Sequence, residues 1–401
     1  MIARTRWLYC AGIFLLSFLV LFLRRPDSLL NAQFWAEDGP TWYASAYTHG
    51  AFNVMFVPHT GYLQTVSRLV FGLAQLFPLE WAPTFANAVG LTIRCAPAAF
   101  LASSRFDWID WRARAAILAY YLLMPGLAEV HPNVTNAHWY VALYLLMVVI
   151  ATPARTTIGR VHDYIALTLC ALSGPFVLFL LPCMFLKDRH EGKWLSRFTV
   201  VALALAAIQL ALIVQGLGTR PTMTLGATPT LFVKIISRRV LTGFILPPAL
   251  SPASTGLIGA FAVMFAGVGV LVYILRKADW RIWCLAIFAA LMLAAAMASP
   301  ALSNIEPQWL VFLTGGDRYF VVPCLMLACL LIFGASQFAV VRRYQLPLAA
   351  AIALPMLSYF QLPPLTDFHF QEQVQAFYQL PVGKRQFFDI PPGWQMALKR
   401  R

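Results

Sequence analysis

Two adjacent carboxylates, Glu37 and Asp38, stand in the run Phe34-Trp35-Ala36-Glu37-Asp38-Gly39, just past the first long apolar stretch of the chain. The whole sequence of 401 residues has only 16 acids, so their placement matters. Between Trp35 and Trp42 at a membrane surface, the two cannot both be freely hydrated. Partial desolvation and mutual repulsion raise the proton affinity of at least one, which suits a general base. A second reading makes Asp38 the cap of the following helix, opened by Gly39-Pro40, and the two roles are compatible.

Cations expected on the same face are Arg68, Arg220, Lys234, Arg238, Arg239 and Arg318. Basic residues in outer loops run against the usual bias of Lys and Arg toward the cytoplasm. Phosphate explains them economically, because a guanidinium grips its oxygens with two parallel donors. Snorkelling to lipid headgroups is the competing explanation, favoured for a residue such as Arg239. Arg318 follows Gly315-Gly316-Asp317 and precedes Tyr319, where glycines allow a close backbone approach. A third segment, Glu129 to Trp139, gathers Glu129, Asn133, Asn136, His138 and Trp139 in a short turn. Such groups suit sugar hydroxyls, with Trp139 as a stacking face; helix capping by Thr135 or Asn136 is the alternative. His59, His131 and His138 have no metal-ligand spacing, and the seven cysteines read as small core residues. A divalent cation (Mg or Mn) at Glu37 is compatible with this chemistry without being required by it.

A sugar carried on a lipid phosphate has a weakly basic leaving group that needs no proton donor. One carboxylate to activate an acceptor hydroxyl, with cations to hold the departing phosphate, then suffices. Glycoside hydrolysis would need a second carboxyl group as acid.

The elements that must position these groups are membrane helices. The chain is 60% hydrophobic and 11% charged, with mean hydropathy +0.70. Its apolar runs, about 15–25 residues each, can cross a hydrocarbon layer as helix and lack the alternation of barrel strands. The expectation is an all-α polytopic membrane protein with about 11 spans: 7–23, 82–102, 113–128, 138–152, a hairpin at 164–186 turning at Ser173-Gly174-Pro175 (a single crossing of 164–186 being the alternative), 198–215, 254–275, 281–299, 319–335 and 346–360. The first run has no cleavage pattern after it and is expected to stay as an anchor. Placing the amino terminus inside puts Arg105–Arg114, Arg155–Arg160, Lys187–Lys193, Arg276–Arg281 and Arg342-Arg343 in the cytoplasm. Segments 24–81, 129–137, 216–253, 300–318 and 361–401 then lie outside, where interfacial helices are expected at 39–49, 61–76 and 230–244. The net charge of +14 follows from the same bias, and dispersed basic residues argue against a nucleic-acid partner.

Trp35 to Gly39, Gly61-Tyr62-Leu63 with Arg68, Asn133 to Trp139, Ser173-Gly174-Pro175 and Gly316-Asp317-Arg318-Tyr319 together resemble the GT-C superfamily of polyprenyl-phosphate-dependent glycosyltransferases. The resemblance extends over most of 1–360, a GT-C-like transmembrane domain, and leaves 361–401 as a small extracytoplasmic tail. It implies an inverting transfer at the periplasmic face of the inner membrane, from a polyprenyl-phosphate-linked sugar to a lipid or glycan acceptor. An acid of the first outer loop would be the base, here Asp38 or Glu37, with preference for Asp38. Arg318, Tyr319 and Arg68 would bind the donor phosphate, and His59, Tyr62, Glu129, Asn133, Asn136, His138 and Trp139 the substrates. A flippase or transporter of lipid-linked saccharides would need ionisable groups within spans, where the sequence offers Arg94 and Gln209. A polysaccharide polymerase or ligase would use outer-loop arginines in one large late loop.

Overall fold

The computed structural model describes residues 2–217, 223–246, 256–302, 305–336 and 345–401. Arg220, Arg342-Arg343 and the first residues of the span expected at 254 lie outside them. The chain folds into helices α1 (Ile2–Arg24), α2 (Thr65–Ala74), α3 (Ala82–Leu101), α4 (Trp111–Leu123), α5 (Ala137–Ile150), α6 (Thr157–Ala171), α7 (Phe176–His190), α8 (Arg197–Gln215), α9 (Leu257–Leu275), α10 (Trp280–Ala298), α11 (Val321–Ser336), α12 (Gln345–Ser358) and α13 (Phe370–Gln379). An antiparallel pair, β1 (Arg385–Ile390) and β2 (Trp394–Lys399), closes it, so the expected all-α class describes the bundle while the tail adds a hairpin.

Among the described residues six helical stretches are long and apolar enough to cross a membrane: Arg6–Arg24, Ala82–Leu101, Arg197–Gln215, Leu257–Leu275, Trp280–Ala298 and Asp317–Ser336. This is the architecture of a helical membrane protein. The other runs read as spans give shorter helices. α4 stops at Leu123 because Met124 must be extended ahead of Pro125. The expected break at Ser173-Gly174-Pro175 separates α6 from α7, with Gly174 at φ +110°.

Arg6, Arg105, Arg114 and Arg281 lie at one end of this bundle, bonded to Asp107, Thr152 O and Ile150 O. Four helices begin there with side-chain caps: Asp110 on Arg112 N–H, Thr156 on Gly159 N–H, Ser196 on Thr199 N–H and Asp279 on Ile282 N–H. Arg105 grips both oxygens of Asp163 at 2.5 and 2.9 Å, tying the turn after α3 to α6. The opposite, loop-bearing end holds a second hydrophobic core. Phe34, Trp42, Tyr43, Val70 and Phe71 of the first loop pack there with Phe370, Phe377, Phe388 and Met396 of the tail. The tail is thus half of a cap whose other half is the first loop, and Ala36 N–H binds Pro391 O at 2.8 Å across the two.

The cap is tied to the bundle by backbone. Leu63 N–H binds Gln209 Oε1 of α8 at 3.0 Å, Gly174 N–H binds Leu63 O at 2.9 Å, and Thr65 N–H binds Leu172 O at 2.9 Å. Gly61, at φ +89°, lies so close to the end of α8 that a Cβ on Gly216 would stand 2.7 Å from its Cα. Replacing Gly216 by Val should therefore destabilise the protein by about 1–3 kcal/mol, as overpacking against backbone does. Gly259→Ala, in open space on α9, should leave the thermal midpoint in detergent within experimental error.

Candidate active site

The paired carboxylates are separated by a turn. Trp35 is extended, Ala36 takes φ +43°, and Ala36–Asp38 form a short 3₁₀ turn that runs into a π-helical turn at Gly39–Tyr43. A left-handed alanine is uncommon and persists only where its surroundings fix it, as the bond to Pro391 does here. Gly39 lets β1 and β2 close over the turn, because a Cβ there would meet Ile390 Cδ1 at 2.6 Å.

Asp38 is fully buried. Its Oδ1 accepts the Thr135 N–H at 2.8 Å and its Oδ2 the Val134 N–H at 3.3 Å. Its side chain does not cap the following helix. Burial pushes its proton affinity well above the usual carboxylate range, against the Thr135 amide and with the added repulsion of Glu37. The residue preferred in sequence as the base therefore has both oxygens engaged in holding a distant loop. Glu37 is only half-buried and lies near enough to Arg318 to act on its charge.

The loop that Asp38 holds, 124–136, carries most of the remaining groups. Arg318 forms an ion pair with Glu129 through Nη1 and Oε1, and its backbone N–H binds Oε2 at 3.2 Å. Asn133 Nδ2 donates to Glu129 O at 2.8 Å and Asn136 Nδ2 to Asn133 Oδ1 at 2.9 Å. Asn136 and Thr135 thus brace the loop rather than capping α5, and Asn136, at the cap position, makes no side-chain capping bond. Trp139 meets Tyr319 edge-on at 5.6 Å and Phe176 at 4.9 Å, and His138 stacks on Phe176 at 5.4 Å. Tyr319 Oη accepts the Ala301 N–H at 3.0 Å. Glu129, Arg318, Tyr319, His138 and Trp139 are thereby brought together, with Glu37 in reach of the Arg318 charge and Phe176 as an aromatic wall that sequence reasoning missed. Its only signal was its place beside Ser173-Gly174-Pro175.

His59, Tyr62 and Arg68 form a neighbouring group. Arg68 is buried, lies over the Trp42 ring at 4.9 Å, and donates to Ser45 Oγ at 3.1 Å and to the carbonyls of Thr41 and Val57 at 3.4 Å. It clamps the first loop and makes no ion pair with Glu37 or Asp38. His59 packs edge-on against Trp42 at 4.9 Å, its backbone paired with Tyr62. Burial and then the Arg68 charge lower its pKa from 6.5 to about 4. Arg239, expected to snorkel, is instead 3% exposed and pairs with Asp317 at 2.6 Å, its guanidinium 4.6 Å above the Phe320 ring.

The oxygens of Asp38 are taken by amides and those of Glu129 by Arg318, so a divalent cation at Glu37 would have that one carboxylate as its acid ligand. No set of three or more His, Cys, Asp or Glu converges to hold a metal among the described residues. No protein-family model, curated protein or solved structure matches the chain.

Two opposite pH dependences follow. The raised Asp38 pKa makes its protonated form the stabilising one, so its contribution is lost as pH climbs above the ordinary carboxylate range. The depressed His59 pKa gives stability that is present above 6.5 and lost as pH falls toward about 4. Unfolding measured across pH should lose the first slope in Asp38→Asn and the second in His59→Gln. Asp38→Ala, which strands two buried amides, should cost about 1–3 kcal/mol for each.

Proposed function

We propose that the protein is an inverting glycosyltransferase that moves a sugar from a polyprenyl phosphate to an acceptor hydroxyl. The observation that supports this most is the Arg318–Glu129 ion pair beside an aromatic wall at the loop-bearing end of a membrane bundle, with the half-buried Glu37 close enough to act on the Arg318 charge. The solvent-side Arg and Lys at the opposite end, set against the buried arginines of this one, favour a periplasmic position for this site in an inner membrane. The fold would be GT-C-like, with the cap of first loop and tail standing over the donor.

In this reading Glu37 removes the proton of the acceptor hydroxyl as its oxygen attacks the anomeric carbon. The bond from that carbon to the phosphate oxygen breaks on the opposite face, and the polyprenyl phosphate departs with the electron pair. Arg318 takes up the growing charge on the phosphate, trading Glu129 for a stronger anion. His138 and Trp139 supply a hydrogen-bonding edge and a stacking face for the sugar. Asp38 positions the loop that carries them and takes no proton. No metal enters the scheme.

A flippase for lipid-linked saccharides is the second reading, favoured by one observation: Arg94 lies buried within the span formed by α3. Product analysis separates the two, since only transfer makes a new glycosidic bond.

With the purified protein and a polyprenyl-phosphate-linked sugar, Glu37→Gln should lower kcat about 10²–10⁴-fold, the usual contribution of a general base. Arg318→Lys, which keeps charge but loses the fork, should raise KM for the donor and lower kcat. Asp38→Asn should remain active. Full activity of Glu37→Gln, or loss confined to Asp38→Asn, would return the base to Asp38.

A further inference from the structure

A second group of arginines lies on the other edge of the 124–136 loop. Arg24, Arg25 and Arg94 are 0%, 3% and 1% exposed. Arg24 donates to the carbonyls of Leu122, Met124 and Phe360 at 2.8, 3.1 and 3.1 Å. Arg25 donates to Pro363 O at 3.0 Å, Ala128 O at 2.9 Å and His131 O. Arg94 meets His131 Nδ1 through Nη1 and lies 5.1 Å over the Tyr140 ring, while its Nε and Nη2 have no hydrogen-bond partner.

These cations differ from Arg239 and Arg318, each of which has a carboxylate. None of the three forms an ion pair with a carboxylate among the described residues. Asp27 acts on Arg25 at longer range, but its Oδ2 is occupied by the Leu365 N–H at 2.9 Å. A guanidinium does not shed its proton, and carbonyl dipoles ease three clustered charges without neutralising them. His131 between them is held neutral by burial and by the charges of Arg94, Arg25 and Arg24.

Position indicates the anion. Arg24 ends α1, whose apolar window is only 11% buried inside the protein and whose Leu15, Leu16, Leu19 and Leu23 are exposed. Arg24 is the last residue of that apolar span, where a lipid-facing stretch gives way to the polar loop, and Arg25 and Arg94 cluster with it. We propose that Arg24, Arg25 and Arg94 form a binding site for the phosphate ester of a membrane lipid, with Arg94 Nε and Nη2 as the two-pronged donor. This site is separate from the one at Glu37 and does not depend on the transferase reading.

The full chain, purified in mild detergent and stripped of lipid, would be titrated with phosphatidylglycerol, with diacylglycerol of the same chains and with inorganic phosphate. The thermal midpoint should rise saturably with phosphatidylglycerol alone, and native mass spectrometry should show one retained phospholipid. Arg94→Gln should weaken that binding at least about tenfold, and Arg94→Lys, which keeps the charge, should bind between the two. Equal effects of phosphatidylglycerol and diacylglycerol would overturn the proposal, as would native affinity in both variants. The same rise with inorganic phosphate would overturn the lipid assignment.

Discussion

The buried carboxylate of Asp38, bonded to the Val134 and Thr135 amides, is the contact on which the loop-bearing end is built. Two amides at a helix entrance would otherwise need water, and Val134 and Thr135 are both buried. Trp42 adds its indole N–H to Thr135 Oγ1 at 3.0 Å, so the first loop grips the 124–136 loop with a carboxyl group and an aromatic together. That loop then serves three neighbours at once. Its Glu129 side chain meets Arg318, its carbonyls at Ala128 and His131 receive Arg25, and its Asn133 backbone lies against Gly90 of α3. Displacing Asp38 would therefore disturb both arginine sites, although it touches neither.

The same contact explains why two neighbouring acids have different fates. The reversed backbone at Ala36 lets Asp38 enter the protein while Glu37 stays half-exposed near Arg318. Burial makes one a structural group of high proton affinity and leaves the other the more accessible acid. Across the bundle the cations follow a similar division. Arg239 is neutralised by Asp317, Arg68 is absorbed by carbonyls and Trp42, and Arg24, Arg25 and Arg94 share a cluster without a paired acid.

Hydrophobicity made much of the fold legible, because helices in lipid must bond internally and apolar runs of sufficient length show directly. The break at Ser173-Gly174-Pro175 and the short helices of the first loop were readable from local signals. The β-hairpin at 385–399 was not, since its two six-residue strands flank Pro391-Pro392-Gly393 without a long alternating pattern. Residue roles depended on distant partners. Nothing local distinguishes Asp38 from Glu37, because their difference comes from amides 96 and 97 residues away. Arg239 looked interfacial until Asp317, 78 residues later, was placed beside it. Arg24, Arg25 and Arg94 sit in or beside different apolar runs, and only packing shows that they converge.

Hydrogen–deuterium exchange of the full-length protein in detergent, followed on peptides covering 129–137, tests the central contact most directly. If Asp38 holds the Val134 and Thr135 amides, these should exchange slowly in the native chain, and the protection should collapse in Asp38→Ala while peptides of α10 stay unchanged. Fast exchange of 134–135 in the native protein, or unchanged protection after removal of the carboxylate, would contradict the account.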